Sequence, residues 1–71
     1  MTFAEWLDEQ MQKRSLSAGD LARALKVSVA TVAAWRTGRR EPVPESSRMI
    51  SDYFGVPAEQ VISMTKWRGE S

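Results

Sequence analysis

Apolar residues recur along most of the chain at intervals of three or four positions, a spacing typical of α-helices that bury one face. Phe3, Leu7 and Met11, for example, lie four positions apart. The pattern predicts five short helices and an all-α fold. The residues expected to face inward are Phe3, Trp6, Leu7 and Met11; Ala18, Leu21, Ala22 and Leu25; Val32 and Trp35; Met49, Ile50, Tyr53 and Phe54; and Val61 and Ile62.

Capping residues indicate where these helices begin and end. Thr2 and Ser17 are each followed three positions later by an acidic residue, Glu5 and Asp20, as in a capping box, and Ser28 is a third good N-cap residue. The remaining predicted boundaries are a third helix over about 29–36 that is ended by Gly38, a fourth over about 45–54 that is ended by Gly55, and a fifth that begins at Pro57.

The aromatic residues are expected to serve mainly in packing. Trp35 falls on the inward side of its helix, and Trp6, Tyr53 and Phe54 are interpreted in the same way. Trp67 differs because it lies late in the chain, outside the strong periodicity. Capping the bundle, forming part of a dimer surface and simple exposure all remain open for it.

The composition excludes several classes of protein. A chain of 71 residues forms one domain at most, and one so short buries only about 60% of the surface that its unfolded form exposes. The absence of Cys and His excludes disulfides and the usual zinc sites, and it also removes the usual catalytic bases and nucleophiles. We expect no enzymatic activity, no metal, no cofactor and no small-molecule ligand.

The start of the chain does not have the pattern of a targeting signal. Its first ten residues include Glu5, Asp8 and Glu9, whereas a signal peptide has a cationic start and an apolar core. No apolar run approaches the length of a membrane span. We therefore expect a cytoplasmic protein that does not enter a membrane.

Positive charge is concentrated in the middle of the chain, although the net charge is only +1. Between residues 14 and 40 there are six basic residues and a single acidic one, Asp20, whereas acidic residues are in excess on both sides of this segment. Such a distribution suits contacts with phosphate groups. Without a motif, an ordinary solvated basic surface would be an equally good interpretation.

The stretch from residue 17 to residue 38 supplies the motif. Two capped helices of about eight residues are joined there by only Lys26 and Val27 before the next cap, Ser28. Helices joined by so short a turn cannot lie antiparallel and must cross steeply, which is the geometry of a helix-turn-helix. The outer side of the second helix is then left bare and can enter a major groove.

Residues spread over nearly the whole chain have a joint spacing that supports this interpretation: Leu16 and Ser17, Leu21 and Ala22, Val27 and Ser28, Val32, Trp35, Gly38, Arg39 and Arg40, Pro42, Ile50, Phe54, Gly55 and Val56. In these residues the chain resembles the Cro/C1-type (XRE-like) helix-turn-helix family from about residue 3 to residue 62. The resemblance implies a lambda repressor-like bundle of five helices. It also implies binding to double-stranded DNA, usually as a homodimer on a pseudo-palindromic operator, and regulation of transcription, with a repressor as the expected type.

The third helix is expected to read the bases. The base-facing positions that the resemblance implies are Ser28, Val29, Ala30, Ala33 and Ala34. A helical wheel agrees, because it puts Val32 and Trp35 on the inner side of the helix. Relatives often carry Gln, Arg, Asn or Ser at these positions. The small apolar residues found here can pack on thymine methyl groups but cannot make bidentate bonds to purines, so we expect modest direct readout.

Contacts with phosphate are expected beside that helix. The predicted residues are Ser17, Ala18, Arg36, Thr37, Arg39 and Arg40. Relatives commonly have Gln at the position of Ala18, and many pair an Arg of the first helix with a Glu after the Trp. Here those two places hold Met11 and Arg36. We therefore expect that ion pair to be missing and Arg36 to be either free to reach DNA or simply solvated.

An adaptor function is the main alternative, because a degenerate helix-turn-helix can serve in protein interaction, as in antitoxin-like modules, with the same fold. The apolar side of the third helix would then face another protein. In either case we assign residues 1–64 to one helix-turn-helix domain and residues 65–71 to a C-terminal tail.

Overall fold

The computed structural model describes residues 1–65 and contains five α-helices and no strand in that range. The helices are α1 (Phe3–Lys13), α2 (Ala18–Leu25), α3 (Val29–Thr37), α4 (Pro44–Phe54) and α5 (Ala58–Met64). The prediction of an all-α, five-helix fold is confirmed. Trp67 and the rest of the predicted tail beyond Thr65 lie outside the described residues.

The first three helices begin at the predicted hydroxyl caps. The oxygen of Thr2 accepts a hydrogen bond from the amide of Glu5 at 3.2 Å, and the Glu5 carboxylate accepts one from the amide of Thr2 at 3.0 Å. Ser17 and Asp20 form the same reciprocal pair. Hydrogen bonds from the backbone and side chain of Thr2 lower the pKa of Glu5 below its ordinary value of 4.5. Equivalent bonds from Ser17 lower the pKa of Asp20 below 3.8.

The last two helices begin differently, with proline in place of a side-chain cap. α4 begins at Pro44, one residue earlier than predicted, because proline has no amide hydrogen to leave unpaired in the first turn. Pro57 is the N-cap residue, immediately before α5, and not in the first turn as predicted. Gly38 and Gly55 end α3 and α4 in the left-handed conformation, with φ of 80° and 74°, as predicted.

The core draws on all five helices. Leu7, Leu21, Val32, Ile50 and Val61 supply one inaccessible side chain from each. Aromatic rings join the helices: Phe3 meets Trp35 edge-on at 6.5 Å between ring centroids, and Trp6 meets Phe54 in the same way at 5.6 Å. The prediction that Trp35 lies in the core is confirmed. Burying one such large side chain stabilises the fold by about 1.5–3 kcal/mol.

The predicted inner face of α4 was wrong for two residues. Met49 and Tyr53 are 38% and 39% exposed. The buried stripe is instead Ser47, Ile50, Ser51 and Phe54, which has regular three- and four-residue spacing with a serine in two of its positions. The hydroxyl of Ser51 donates to the carbonyl of Arg48 at 2.7 Å. A serine that satisfies its own helix in this way can be buried, and its small size lets α4 pack closely against the core.

Arg14 fastens the end of α1 to the end of α4. Its guanidinium donates to the carbonyl of Phe54 at 3.2 Å and lies 5.0 Å from the centre of the Phe54 ring. One of the six basic residues counted in the central segment therefore supports the bundle. None of the helices in residues 1–65 is long and apolar enough to cross a membrane.

Candidate nucleic-acid interface

The turn between α2 and α3 consists of Lys26, Val27 and Ser28. Lys26 ends α2 in the left-handed conformation with φ of 61°, which costs a residue other than glycine about 1–2 kcal/mol. The amide of Val27 donates back to the carbonyl of Ala22 at 3.0 Å. The chain therefore reverses within three residues, and α3 packs against both α2 and α1. Support from two helices holds α3 by its inner face and leaves its outer face uncovered.

The outer face of α3 carries the predicted base-facing residues. Val29 is 53% exposed, and Ser28, Ala30 and Ala33 are also exposed. Ala34 differs because it is half-buried. The exposed side chains are short and, apart from Ser28, have no hydrogen-bonding group. Such a surface allows the helix axis to approach a ligand closely.

The hydroxyl of Ser28 is already engaged at the start of α3. It accepts a hydrogen bond from the amide of Thr31 at 3.1 Å and shares a second one, of 2.8 Å, with the Thr31 hydroxyl. Thr31 was not among the predicted site residues. The signal that could have found it is the three-residue spacing of the two hydroxyl side chains, which puts both on the first turn. Together they form the polar end of an otherwise apolar surface.

Two basic residues follow α3 directly. The amides of Arg39 and Arg40 both donate to the carbonyl of Ala34, at 3.0 and 3.3 Å, so the backbone is folded back against the helix end. Both side chains are exposed. They border a surface depression, here called the Arg39 depression, which is lined by Ser28, Ala30, Thr31, Ala34, Arg39 and Arg40. No acidic side chain of residues 1–65 lines it.

A second depression, here called the Asp8 depression, is lined by Asp8, Ala18, Ala33, Arg36 and Thr37. The Thr37 hydroxyl donates to the carbonyls of Ala33 and Ala34 at 3.1 and 3.2 Å. Nine of the eleven predicted site residues line one of these two depressions. The other two, Ser17 and Val29, line neither. Ser17 lies at the start of α2, where the Asp20 carboxylate already accepts a hydrogen bond from its amide at 3.3 Å.

Arg36 has an acidic partner, contrary to the sequence prediction. Its Nε donates to Oδ1 of Asp8 at 3.1 Å, and its Nη2 donates to the same oxygen. The interpretation that Arg36 lacks an ion pair was therefore wrong. Helices α1 and α3 are joined by an ion pair in which the acid lies on α1 and the arginine on α3, the reverse of the arrangement in many relatives. The acid is Asp8, one turn before Met11, and packing brings it against the end of α3.

The environment of Asp8 favours its charged form. The hydrogen bond from Arg36 is the main reason that the pKa of Asp8 lies below its ordinary value of 3.8, and a bond of 2.6 Å from the Gln12 amide to Oδ2 adds to it. The side chains of Arg36 and Asp8 are 33% and 37% exposed, so water still reaches both. No group of His, Cys, Asp or Glu among the described residues has the arrangement of a metal site.

Comparison with known families agrees with this geometry. A family model described as helix-turn-helix matches residues 7–61, which takes in most of α1, all of α2, α3 and α4, and α5 as far as its buried residue Val61. Comparison with curated proteins gives no match.

Proposed function

Because the chain belongs to the Cro/C1-type helix-turn-helix family, we propose that it binds double-stranded DNA in a sequence-specific manner and represses transcription. The observation that carries this proposal is the combination found at α3. A helix supported on one side presents small side chains on the other, and two cations, Arg39 and Arg40, stand directly at its end. A rod of this kind suits the major groove of B-form DNA.

Readout of bases is proposed for the outer face of α3. Val29, Ala30 and Ala33 would pack on thymine methyl groups. Ser28 and Ala34 would lie at the two ends of the surface that contacts the bases. Side chains this short distinguish bases mainly by shape and methyl contacts. Sequence preference would therefore depend strongly on the register of the protein and on DNA deformability.

Contacts with phosphate are proposed on both sides of α3. Arg39 and Arg40 would supply the charge on one side, and Thr37, with Ser17 and Ala18 at the amide end of α2, would supply weaker contacts on the other. Arg36 borders the same side, but its guanidinium is bound to Asp8. The phosphate contacts would fix the orientation of α3 without carrying sequence information themselves.

The assembly on DNA is proposed to be a homodimer formed by residues 1–64 of each copy. One recognition helix reads only a few base pairs, so two copies on half-sites about one helical turn apart would give a useful operator. A dimer that occupies such a site would compete with other proteins for the same DNA, which is the simplest route to repression.

An adaptor function has one observation in its favour, the 53% exposure of the apolar Val29. Titration of the isotope-labelled protein with a short mixed-sequence duplex at low ionic strength separates the two functions. DNA binding predicts shifts of the backbone amide signals from residue 29 to residue 40. Unmoved signals there would refute DNA binding and favour the adaptor. Selection of bound duplexes from a random pool would then give base preference and half-site spacing together.

A further inference from the structure

The two sides of α3 differ in how their cations are balanced. In the Arg39 depression, no carboxylate of the described residues accompanies Arg39 and Arg40. In the Asp8 depression, the single cation, Arg36, is bound to a carboxylate. The sites proposed to contact phosphate are therefore unequal, with net positive charge on one side of the helix and a neutral ion pair on the other.

In this pair, the guanidinium of Arg36 is bound to α1. Both Nε and Nη2 of Arg36 donate to one oxygen of Asp8, while Gln12 donates to the other oxygen at 2.6 Å. The carboxylate is thus held in place from its own helix and from α3. Glu5 and Glu41 line an adjoining depression together with Asp8 and Arg36. Of these three carboxylates, the one that forms an ion pair with Arg36 within residues 1–65 is Asp8.

The pair nevertheless stays within reach of a ligand. Both side chains are about one-third exposed, and the depression that they line also contains Ala18 and Ala33, two residues of the proposed DNA surface. A phosphate group entering this depression would meet Asp8 beside Arg36. The two anions would then compete for one guanidinium, and the carboxylate has the advantage of being attached to the same molecule.

We propose that Asp8 is a specificity-determining residue that competes with DNA phosphate for Arg36 and thereby withholds one phosphate contact from this side of α3. The inference rests on the proposed DNA binding. Phosphate contacts supply nearly all of the affinity for non-specific DNA. One contact fewer lowers that background and leaves a larger share of discrimination to the outer face of α3.

The test is the salt dependence of binding to a fluorescent mixed-sequence duplex, compared between the wild type and Asp8→Asn. The released Arg36 makes the plot of log affinity against log salt steeper by about one unit, and the ratio of affinities at about 50 and 200 mM salt widens about fourfold. Glu9→Gln is the matched control. Glu9 is the adjacent residue and is also paired, with Lys13 at 3.5 Å, but neither residue lines a depression beside α3. The salt slope of the Glu9→Gln variant stays that of the wild type.

Two further variants separate release of Arg36 from a general loss of negative charge. In an Arg36→Gln background, Asp8→Asn no longer changes the slope, because no guanidinium is left to release. Asp8→Glu keeps the carboxylate and restores the wild-type slope. Thermal unfolding and amide spectra of each variant establish that the same fold is being compared.

The outcomes distinguish the two proposals. Binding by the wild type with an unchanged or shallower slope for Asp8→Asn refutes the role of Asp8 and leaves DNA binding intact. A steeper slope that persists in the Arg36→Gln background also refutes competition for Arg36. Failure of the wild type and Asp8→Asn alike to bind any duplex refutes the proposed function itself.

Discussion

The inner and outer faces of α3 are both apolar, yet their surroundings are opposite. On the inner face, Val32 is inaccessible and Trp35 is only 4% exposed, with its ring against the edge of Phe3. On the outer face, Val29 is 53% exposed and Ala33 is also uncovered. Polarity does not distinguish the two faces of this helix. Packing does, because the inner face is buried against the rest of the bundle, whereas the outer face is exposed.

The contrast teaches how a small domain can separate stability from a proposed role in recognition within one helix. The inner face contains the large side chain, whose burial stabilises the fold. The outer face contains short side chains, which contribute little to stability but let another molecule approach the helix closely. Exchanging residues on one face should therefore affect one property and spare the other, and the following predictions test that separation.

The largest effect is expected for Trp35→Ala. Removing a buried indole leaves a cavity between α1 and α3 and should lower the free energy of unfolding by about 3–5 kcal/mol, a large share of the stability of a domain this small. Urea unfolding followed by circular dichroism measures it. Ala30→Ser, on the outer face, is the control and should stay within about 0.5 kcal/mol of the wild type. A loss below about 1 kcal/mol for Trp35→Ala would contradict the assignment of the inner face.

The next effect is expected for Arg39→Ala and Arg40→Ala, singly and together. Each should lower affinity for all duplex sequences about equally and reduce the salt slope by about one unit, because each removes one proposed phosphate contact. Arg48→Ala is the matched control. It removes an exposed arginine from α4 that lines neither depression beside α3. Unchanged slopes in both single variants would remove Arg39 and Arg40 from the interface.

A smaller and more selective effect is expected for Ala33→Gln. The longer amide side chain can hydrogen-bond to adenine but blocks close approach to a thymine methyl group. Base preference at one operator position should shift by about 1 kcal/mol, while stability changes by no more than about 0.5 kcal/mol. Mobility shift on a selected operator and on its single-base variants measures the preference. Unchanged affinity and preference would show that Ala33 does not face the bases.

The smallest effect is the response of stability to acid. Native hydrogen bonds hold the pKa values of Glu5, Asp8 and Asp20 below 4.5, 3.8 and 3.8, respectively. The unfolded chain takes up protons at these ordinary values, before the folded protein does. The stabilisation is therefore present above the unfolded pKa values and is lost as pH falls through the lower, folded values.

Urea unfolding as a function of pH tests this response. The free energy of unfolding should be nearly constant from about pH 5 to 7 and should decrease below about pH 4. Asp20→Asn removes one of the three contributing groups and should flatten the decrease. Stability that rises on acidification over this range would contradict the native bonding of these carboxylates.

Local sequence signals predicted the helices well. Thr2, Ser17 and Ser28 were each predicted as N-caps, and each accepts the expected backbone hydrogen bond. Gly38 and Gly55 were predicted as helix ends, and both are left-handed. These features depend on residues within one turn of each other, so the chain itself contains all the information that determines them.

Signals that depend on neighbouring helices were less reliable. Met49 and Tyr53 were expected to be buried because they are apolar, whereas the face turned to the core contains Ser47 and Ser51. A helix's periodicity leaves the rotation about its axis uncertain by one residue when apolar side chains adjoin small polar ones. Only the packing of α4 on the rest of the bundle chooses between the two stripes.

The sequence alone determined the number of helices, their capped ends, the short turn before Ser28 and the run of small residues along α3. The tertiary structure decided which acid meets which base. Asp8 and Arg36 are 28 positions apart, and no local pattern joins them. They meet because α1 packs across the end of α3, and an electrostatic contact depends on distance in space, which a sequence specifies only through the whole fold.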